Sequence, residues 1–546
     1  MRQKKINWIL FSGIWIYPFS SIAINVLRYS LRNLLRAPDE KRLLPVDATM
    51  FVLPLIPVIA IFFYNCWMLF TYKKSDFTLQ GYFRREEAYT PAKKKAMYSA
   101  VDLRYLSIDP NGFILGGYKG KYVRIPNDPN HVLHTCIIGT PGSGKSSSLL
   151  INTLLANYMH PVPPTAMFVI DIKPELAYKS VELDQYPFVR IVNPTDQNSY
   201  GWDVYYKLDP YSTDDEVTDT LTILAESLIT GDRTSPRFFI ETARTLFLGI
   251  MLYYYRCGIS FVDAVHQILK KDVAEHIAEI LNDPENCPED GMAYAILNPY
   301  RNIEGDAFDN IRMYLQGPLR VFLRSDVRYM FRDNLKKASP GDLERGISVF
   351  LSFPEALLKN YKGIFNLIVS QTLDHLQNRR ESASQIIHVI IDEFTRLGRL
   401  DILLSLGTLR SRKVAITVAM QDLSQAVTVY SPEECRTLLN LCEVICILST
   451  HDPETCRMIS DWAGTYQEQV ASYSYSTGHL DGRTNISLRE KRVLDPKDIM
   501  SLREEKELIA VIEGQYFRFN KIFYMDDPVL GERYRKVAEA NDKKLL

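Results

Sequence analysis

The chain lacks the residue patterns that mark several classes of protein. None of its eight cysteines stands in a CxxC pair, so no zinc site is expected, and we interpret the cysteines as reduced thiols of a cytosolic body. Its 64 basic and 65 acidic residues nearly balance, which excludes a general polycation. Any contact with nucleic acid must therefore come from local basic clusters. At 546 residues the chain is too long for a single core, and we expect at least two globular units.

Charged residues are absent from two long apolar runs near the N-terminus. These runs cover residues 6–27 and 48–72, and each is long enough to cross a bilayer as a helix. The second run carries Tyr64, Trp67 and Tyr72 near one end, as an interfacial aromatic belt would. We predict two transmembrane helices. The alternatives are a signal peptide for the first run and a buried core helix for the second.

A glycine-rich loop follows a short apolar strand in "HTCIIGTPGSGKSSSLLINTLLA". Its residues Gly139 to Ser146 match the pattern GxxxxGK[ST] in the required context, between a strand and a helix. In this pattern the backbone N–H groups surround phosphates, Lys145 bridges the β- and γ-phosphates, and the Ser146 hydroxyl ligates Mg²⁺. The sequence therefore predicts binding of ATP and Mg²⁺. The expected nucleotide-binding residues are Gly139, Thr140, Pro141, Gly142, Ser143, Gly144, Lys145, Ser146 and Ser147.

Two acidic residues end a later apolar strand, in "IIHVIIDEF". We expect Asp392 to reach Mg²⁺ through water and Glu393 to act as the general base for hydrolysis. At the end of the next strand, "VAITVAMQD", Gln421 is expected beside the same crevice, where it would sense the γ-phosphate. The adjacent carboxylates favour a hydrolase over a binding switch.

Two arginines precede that next strand, in "LRSRK". Arg410 and Arg412 are candidates for an arginine finger that reaches the γ-phosphate of a neighbouring subunit. The alternative for each is an ordinary solvated charge at the end of a helix.

Apolar strands separated by helical stretches predict an α/β fold with a mainly parallel sheet covered on both faces. Residues from about 210 to 340 interrupt this alternation and are helical by period, with Ser260 and Asp263 placed as a helix cap and Gly258 as a helix stop. The expected domains are a membrane anchor (1–74), a linker with a small β lead-in (75–130), a nucleotide-binding domain (131–206 and 341–530), an all-helical domain (207–340) and a C-terminal tail (531–546).

Taken together, these motifs resemble the type IV secretion coupling proteins, the TraG/TraD class of conjugative DNA-transfer ATPases. The most specific part is the block "IDEFTRLGRLDIL…LRSRKVAITVAMQDLSQ", and the likeness covers nearly the whole chain. "FVIDIKPELA" is similar to the family's strand-plus-acidic motif, although Pro174 stands where glycine is expected.

The resemblance implies a RecA-like P-loop NTPase domain with an inserted all-helical domain, preceded by two transmembrane helices. It implies a homo-hexameric ring at the cell membrane (inner or cytoplasmic), multi-pass, with the ATPase body in the cytoplasm. The implied partners are a relaxase with its single-stranded DNA, other secretion components and membrane lipids. By position, Lys145, Ser146, Asp392, Glu393 and Gln421 become the ATPase residues, with Arg412 the better finger candidate and Arg410 the second.

Two other functions remain compatible with the same residues. The motor could move protein effectors, because only the pore and the cytosolic face would then differ. The chain could also be a nucleotide-gated docking scaffold with little turnover, which the Asp392–Glu393 pair opposes.

Overall fold

The computed structural model describes residues 22–28, 101–183, 186–231, 235–302, 305–332, 336–400, 402–474, 483–502 and 506–542. The chain divides into two units, 1–94 and 95–546. In the first unit residues 22–28 are helical, and no helix within the described ranges is long and apolar enough to cross a membrane. The transmembrane helices predicted at 6–27 and 48–72 lie outside the described residues, apart from the end of the first.

The second unit is built on a large mixed sheet. Its described residues form sixteen strands, which are, in chain order, β1 (Leu106–Ser107), β2 (Phe113–Tyr118), β3 (Lys121–Ile125), β4 (Thr135–Gly139), β5 (Ala166–Asp171), β6 (Val189–Val192), β7 (Gly201–Trp202), β8 (Lys337–Ala338), β9 (Ser348–Ser352), β10 (Ile387–Ile391), β11 (Val414–Met420), β12 (Val444–Ser449), β13 (Thr465–Ser474), β14 (Arg483–Arg492), β15 (Glu507–Ile512) and β16 (Gln515–Asn520). Twelve of them form one sheet in the order β1-β3-β2-β16-β15-β12-β4-β11-β10-β5-β9-β6.

Helices cover this sheet and form a separate helical region. The α-helices of the second unit are α1 (Ile151–Tyr158), α2 (Leu176–Ser180), α3 (Asp214–Leu228), α4 (Arg237–Arg256), α5 (Phe261–Lys270), α6 (Val273–Leu281), α7 (Met292–Leu297), α8 (Asp306–Leu319), α9 (Ser325–Met330), α10 (Gly341–Glu344), α11 (Leu358–Gln377), α12 (Ile402–Thr408), α13 (Leu423–Val429), α14 (Pro432–Leu441), α15 (Pro453–Ala463), α16 (Pro496–Ser501) and α17 (Pro528–Asp542).

Seven neighbouring strands, from β12 to β6 in the sheet order, run parallel, as their apolar sequences predict. The strands β4, β5, β9, β10, β11 and β12 are buried along their whole length, because helices cover both faces. Parallel strands end at the same edge of a sheet. The residues that follow β4, β5, β10 and β11 therefore meet at one carboxyl edge.

The other five strands of the sheet pair antiparallel and extend it beyond β12. The apolar run "LIAVIE" forms β15 of this group, and β15 turns directly into β16 through Glu513 and Gly514. Both of these residues have positive φ, as a tight hairpin turn requires. The short strands predicted as a β lead-in are present as β1 to β3, and β2 pairs with β16, so they extend the main sheet.

The helical region comprises α3 to α9, and local signals define its boundaries. Thr213 and Glu216 form a capping box at the start of α3. The cap predicted from Ser260 is present, because its side chain accepts the N–H of Asp263, and Gly258 adopts positive φ just after α4. The chain enters the helical region after β7 and leaves it at β8. These two short strands pair in parallel, so the two ends of the helical region lie side by side.

Candidate nucleotide site

The glycine-rich loop connects β4 to a helix that begins as a π-helical turn at Lys145–Leu150 and continues as α1. Gly142 and Gly144 have φ of 75° and 103°, values that favour glycine. A Cβ on Gly139 would lie 2.5 Å from Ser143 Oγ, so a larger residue here would displace the Ser143 side chain. The loop is anchored to the neighbouring strand β12, because the Thr140 N–H donates to the Ser449 carbonyl at 2.9 Å.

The predicted phosphate lysine lies inside this loop. Lys145 Nζ donates to the Gly139 carbonyl at 2.6 Å and lies 3.9 Å from Glu393 Oε1. Burial lowers the pKa of Lys145 below its usual range, while the carboxylates of Glu393 and Asp392 act in the opposite direction. Lys145 therefore has one carbonyl contact and two nearby carboxylates. From this position its ammonium can reach an anion bound in the loop.

Asp392 follows β10 and is fully buried at the same edge. Its Oδ1 accepts the Glu393 N–H at 3.1 Å, whereas its Oδ2 has no hydrogen-bond partner among the described residues. Burial raises the pKa of Asp392 to about 7, and the neighbouring carboxylates of Glu393 and Asp171 add to the rise. A buried carboxylate oxygen without a partner suits a hydrated cation.

These residues fit Mg²⁺, which prefers oxygen ligands and retains several waters. The oxygen donors that the sequence assigns to it are the Ser146 hydroxyl and, through water, the Asp392 carboxylate. Within the described parts of the chain, no group of three or more His, Cys, Asp and Glu side chains could hold a metal by itself.

Glu393 is the centre of the acidic side of the site. Its φ of 53° lies in the left-handed region, which is costly for a residue with a side chain. Its side chain is only 3% exposed. Glu393 Oε2 accepts a hydrogen bond from Gln421 Nε2 at 2.9 Å, so the structure brings the predicted base and the predicted sensor into direct contact.

The end of β5 adds two residues that the sequence analysis did not assign to the site. The Asp171 carboxylate accepts the N–H groups of residues 175–177 and caps α2, and burial raises its pKa to about 6. Lys173 Nζ lies 3.4 Å from Glu393 Oε1. Asp171 and Lys173 could both have been found from the sequence, because "DIK" lies at the carboxyl end of a predicted parallel strand. The same signal identified Gln421.

The structure does not bring the two finger candidates to this edge. Arg410 and Arg412 precede β11 and so lie at the amino edge of the sheet, roughly 20 Å along the strand from its carboxyl end. Arg410 Nη1 pairs with Glu443 Oε1 at 2.5 Å. The guanidinium of Arg412 donates to the Arg379 carbonyl, and Arg379 Nη1 donates to the Arg412 carbonyl at 2.6 Å. Neither arginine reaches the P-loop of its own chain.

An apolar segment flanks the loop on the side of β12, opposite the carboxylates. Asn152 Nδ2 of α1 donates to the Ile522 carbonyl at 2.8 Å, which holds the chain that leaves β16 against the loop helix. A Cβ on Gly144 would lie 3.2 Å from the ring of Phe523. The sequence analysis missed this flank, since 370 positions separate Asn152 from Ile522.

Comparison with known proteins identifies the family of the chain and supports the fold. A family model described as the type IV secretion-system coupling protein DNA-binding domain matches residues 123–519. Protein VirD4 of Rhizobium radiobacter is 23% identical over 441 residues, which cover 76% of this chain and 60% of that protein. Conjugal transfer protein TraG of the same organism is 25% identical over 179 residues, covering 31% of this chain and 28% of that protein. The chain thus spans about 60% of the length of the VirD4 protein that it matches.

Among solved structures, the unbound monoclinic form of the bacterial conjugative coupling protein TrwBdeltaN70 superposes with a TM-score of 0.60 at 17% identity, covering 79% of this chain and 92% of that chain. The plasmid coupling protein TrwB in complex with ADP and Mg²⁺ gives a TM-score of 0.57 at 16% identity, with the same coverage. These likenesses confirm the expected fold, a RecA-like NTPase with a helical domain.

Proposed function

Because the chain belongs to the family of type IV secretion-system coupling proteins, we propose that it is a membrane-anchored ATPase that drives single-stranded DNA, carried by a relaxase, through a type IV secretion system. The main structural support for ATPase activity is that Lys145, Glu393 and Gln421 lie together at one edge of the sheet. They would provide a phosphate contact, a base and a sensor, and both Lys145 and Gln421 contact the carboxylate of Glu393. ATP turnover by the full chain, measured with and without single-stranded DNA, tests the proposal.

The nucleotide is held chiefly by the loop. We assign the α- and β-phosphates to the backbone N–H groups of residues 139–147, with Lys145 bridging the β- and γ-phosphates. The complexes of TrwB with an ATP analogue and with ADP and Mg²⁺ support the same ligands here. Mg²⁺, when bound, would neutralise phosphate charge between the Ser146 hydroxyl and a water held by Asp392.

Hydrolysis needs a base that is aimed at a water beside the γ-phosphate. Glu393 takes one proton from that water while the water oxygen bonds to the γ-phosphorus and the bond to the ADP oxygen breaks. Gln421 holds the Oε2 atom of Glu393 at 2.9 Å, so a displacement of Gln421 by the γ-phosphate would change the orientation of the base. This contact provides a route by which the presence of ATP is communicated to β11.

The proposed assembly is a homo-hexameric ring at the inner membrane, with helices 6–27 and 48–72 as anchor and the body in the cytoplasm. We further propose that 131–206 and 341–530 form the motor and that 207–340 receives the substrate. The finger in this ring would act between subunits, because Arg410 and Arg412 lie far from the loop of their own chain. Contacts with lipids and other secretion components belong to the same proposal.

Arg412→Ala is expected to lower ATP turnover of the assembled protein by at least about 10-fold, because a finger stabilises charge on the transferring phosphate. Turnover is measured on rings mixed from Arg412→Ala subunits and Lys145→Ala subunits. An interface in which an Arg412→Ala subunit supplies the loop and a Lys145→Ala subunit supplies the arginine has both groups intact, whereas the reverse interface has neither, so activity should return partly. Arg410→Ala serves as the comparison variant. A loss of activity that is equal in monomeric protein would contradict action between subunits.

A further inference from the structure

A second ammonium group contacts the carboxylate of Glu393 from the open side of the site. Lys173 Nζ lies 3.4 Å from Glu393 Oε1, and the Lys173 side chain is 40% exposed while that of Glu393 is 3% exposed. We propose that Lys173 is a positioning residue for hydrolysis, which holds Glu393 Oε1 so that the base stays aimed at the attacking water. This inference rests on the proposed ATPase function and adds a residue to it.

The three groups around Glu393 are not equivalent. Gln421 is neutral and holds Oε2, whereas Lys145 and Lys173 both face Oε1, at 3.9 Å and 3.4 Å. Lys145 also has to contact the β- and γ-phosphates in a working P-loop, which draws its ammonium toward them. Once Lys145 has moved toward the phosphates, Lys173 is, among the described residues, the cation that remains beside Glu393 Oε1. An ion pair at this distance favours the ionised carboxylate and draws Glu393 Oε1 toward the ammonium, which restrains its position.

Lys173 is supported by a part of the fold that does not include the P-loop. It follows β5, whose last residue Asp171 caps α2 through three backbone N–H groups. β5 pairs with β10 over five residues, and the Asp392 N–H donates to the Ile170 carbonyl at 3.2 Å. The strand that carries Lys173 and the strand that carries Glu393 are therefore fixed to each other. This is important because the φ of 53° at Glu393 is a strained value that needs support from its surroundings.

The test compares Lys173→Met, Lys173→Arg and Lys179→Met in the full chain. Lys179 is a matched control, since it is a lysine of the same segment whose ammonium pairs with Glu175 at 2.5 Å. We expect Lys173→Met to lower kcat by about 10- to 100-fold, the cost of a misplaced reacting group, with KM for ATP changed by less than roughly twofold. Lys173→Arg should recover most of kcat, and Lys179→Met should leave both constants unchanged.

A double-mutant cycle with Glu393→Gln tests whether Lys173 acts through Glu393. Once the carboxylate is gone, Lys173→Met should have no further effect on the single-turnover rate. Equal effects of Lys173→Met in both backgrounds would overturn the proposal, as would a rise in KM without a fall in kcat, which would make Lys173 a phosphate ligand instead. An unchanged kcat in Lys173→Met would overturn it too. In each of these cases the wild-type chain still turns over ATP, whereas an inactive wild type would be a failure of the proposed function itself.

Discussion

Lys145→Ala is expected to lower ATP turnover by roughly 100- to 1,000-fold, because it removes the cation that stabilises charge developing on the γ-phosphate. The fold should persist. Lys145 is buried and burial disfavours its charge, so alanine relieves a cost at the same time as it removes the contact with the Gly139 carbonyl. The measurements are phosphate release at saturating ATP and the thermal unfolding midpoint.

Lys536→Ala is the control for Lys145→Ala. Lys536 is an exposed lysine of α17 that pairs with Glu532 four residues away, and its removal should leave turnover unchanged. If Lys145→Ala retained more than half of the wild-type rate with an unaltered unfolding midpoint, the loop would not be the site of hydrolysis.

Glu393→Gln is expected to bind ATP and to stall, with turnover reduced by about 100- to 10,000-fold, the range typical of a lost general base. Glutamine keeps the size of the side chain, and its carbonyl oxygen can still accept from Gln421, so the geometry of the loop should survive. The measurements are the Kd for ATP by fluorescence and a single-turnover assay. We expect a Kd within a few-fold of wild type and an ATP complex that persists.

The matched control for Glu393→Gln is Glu175→Gln, which neutralises a partly exposed carboxylate of the same region that pairs with Lys179. It should hydrolyse ATP at the wild-type rate. A normal rate in Glu393→Gln would show that another group accepts the proton from water, and the assignment of the base would then be wrong.

The local part of the site could be predicted from the sequence, whereas its long-range contacts could not. The glycine loop is contiguous, and the strand before Asp392 has a clear apolar pattern, so both were assigned from short segments. The contact of Lys173 with Glu393 joins residues 220 positions apart, and no pattern of spacing reports it. It depends on β5 lying next to β10, which is a property of the strand order.

The direction of a strand was the second feature that local sequence patterns could not predict. An apolar strand buried on both faces has the same composition in a parallel and an antiparallel pair, so "LIAVIE" gave no sign that β15 runs against β12. The position of the two arginines, in contrast, could have been predicted. Arg410 and Arg412 come before β11 and Gln421 comes after it, so the predicted parallel strand alone places them at opposite edges.

The central claim is that ATP hydrolysis at this site is coupled to single-stranded DNA. The most direct measurement is ATP turnover by the purified full chain in lipid nanodiscs, with and without single-stranded DNA, beside Lys145→Ala. We expect turnover that rises when DNA is added and is lost in the variant in both conditions. Turnover that is lost in the variant but does not respond to DNA would contradict the coupling and favour a protein cargo. Absence of turnover in a demonstrably hexameric sample, with and without DNA, would contradict the motor itself and favour the docking scaffold.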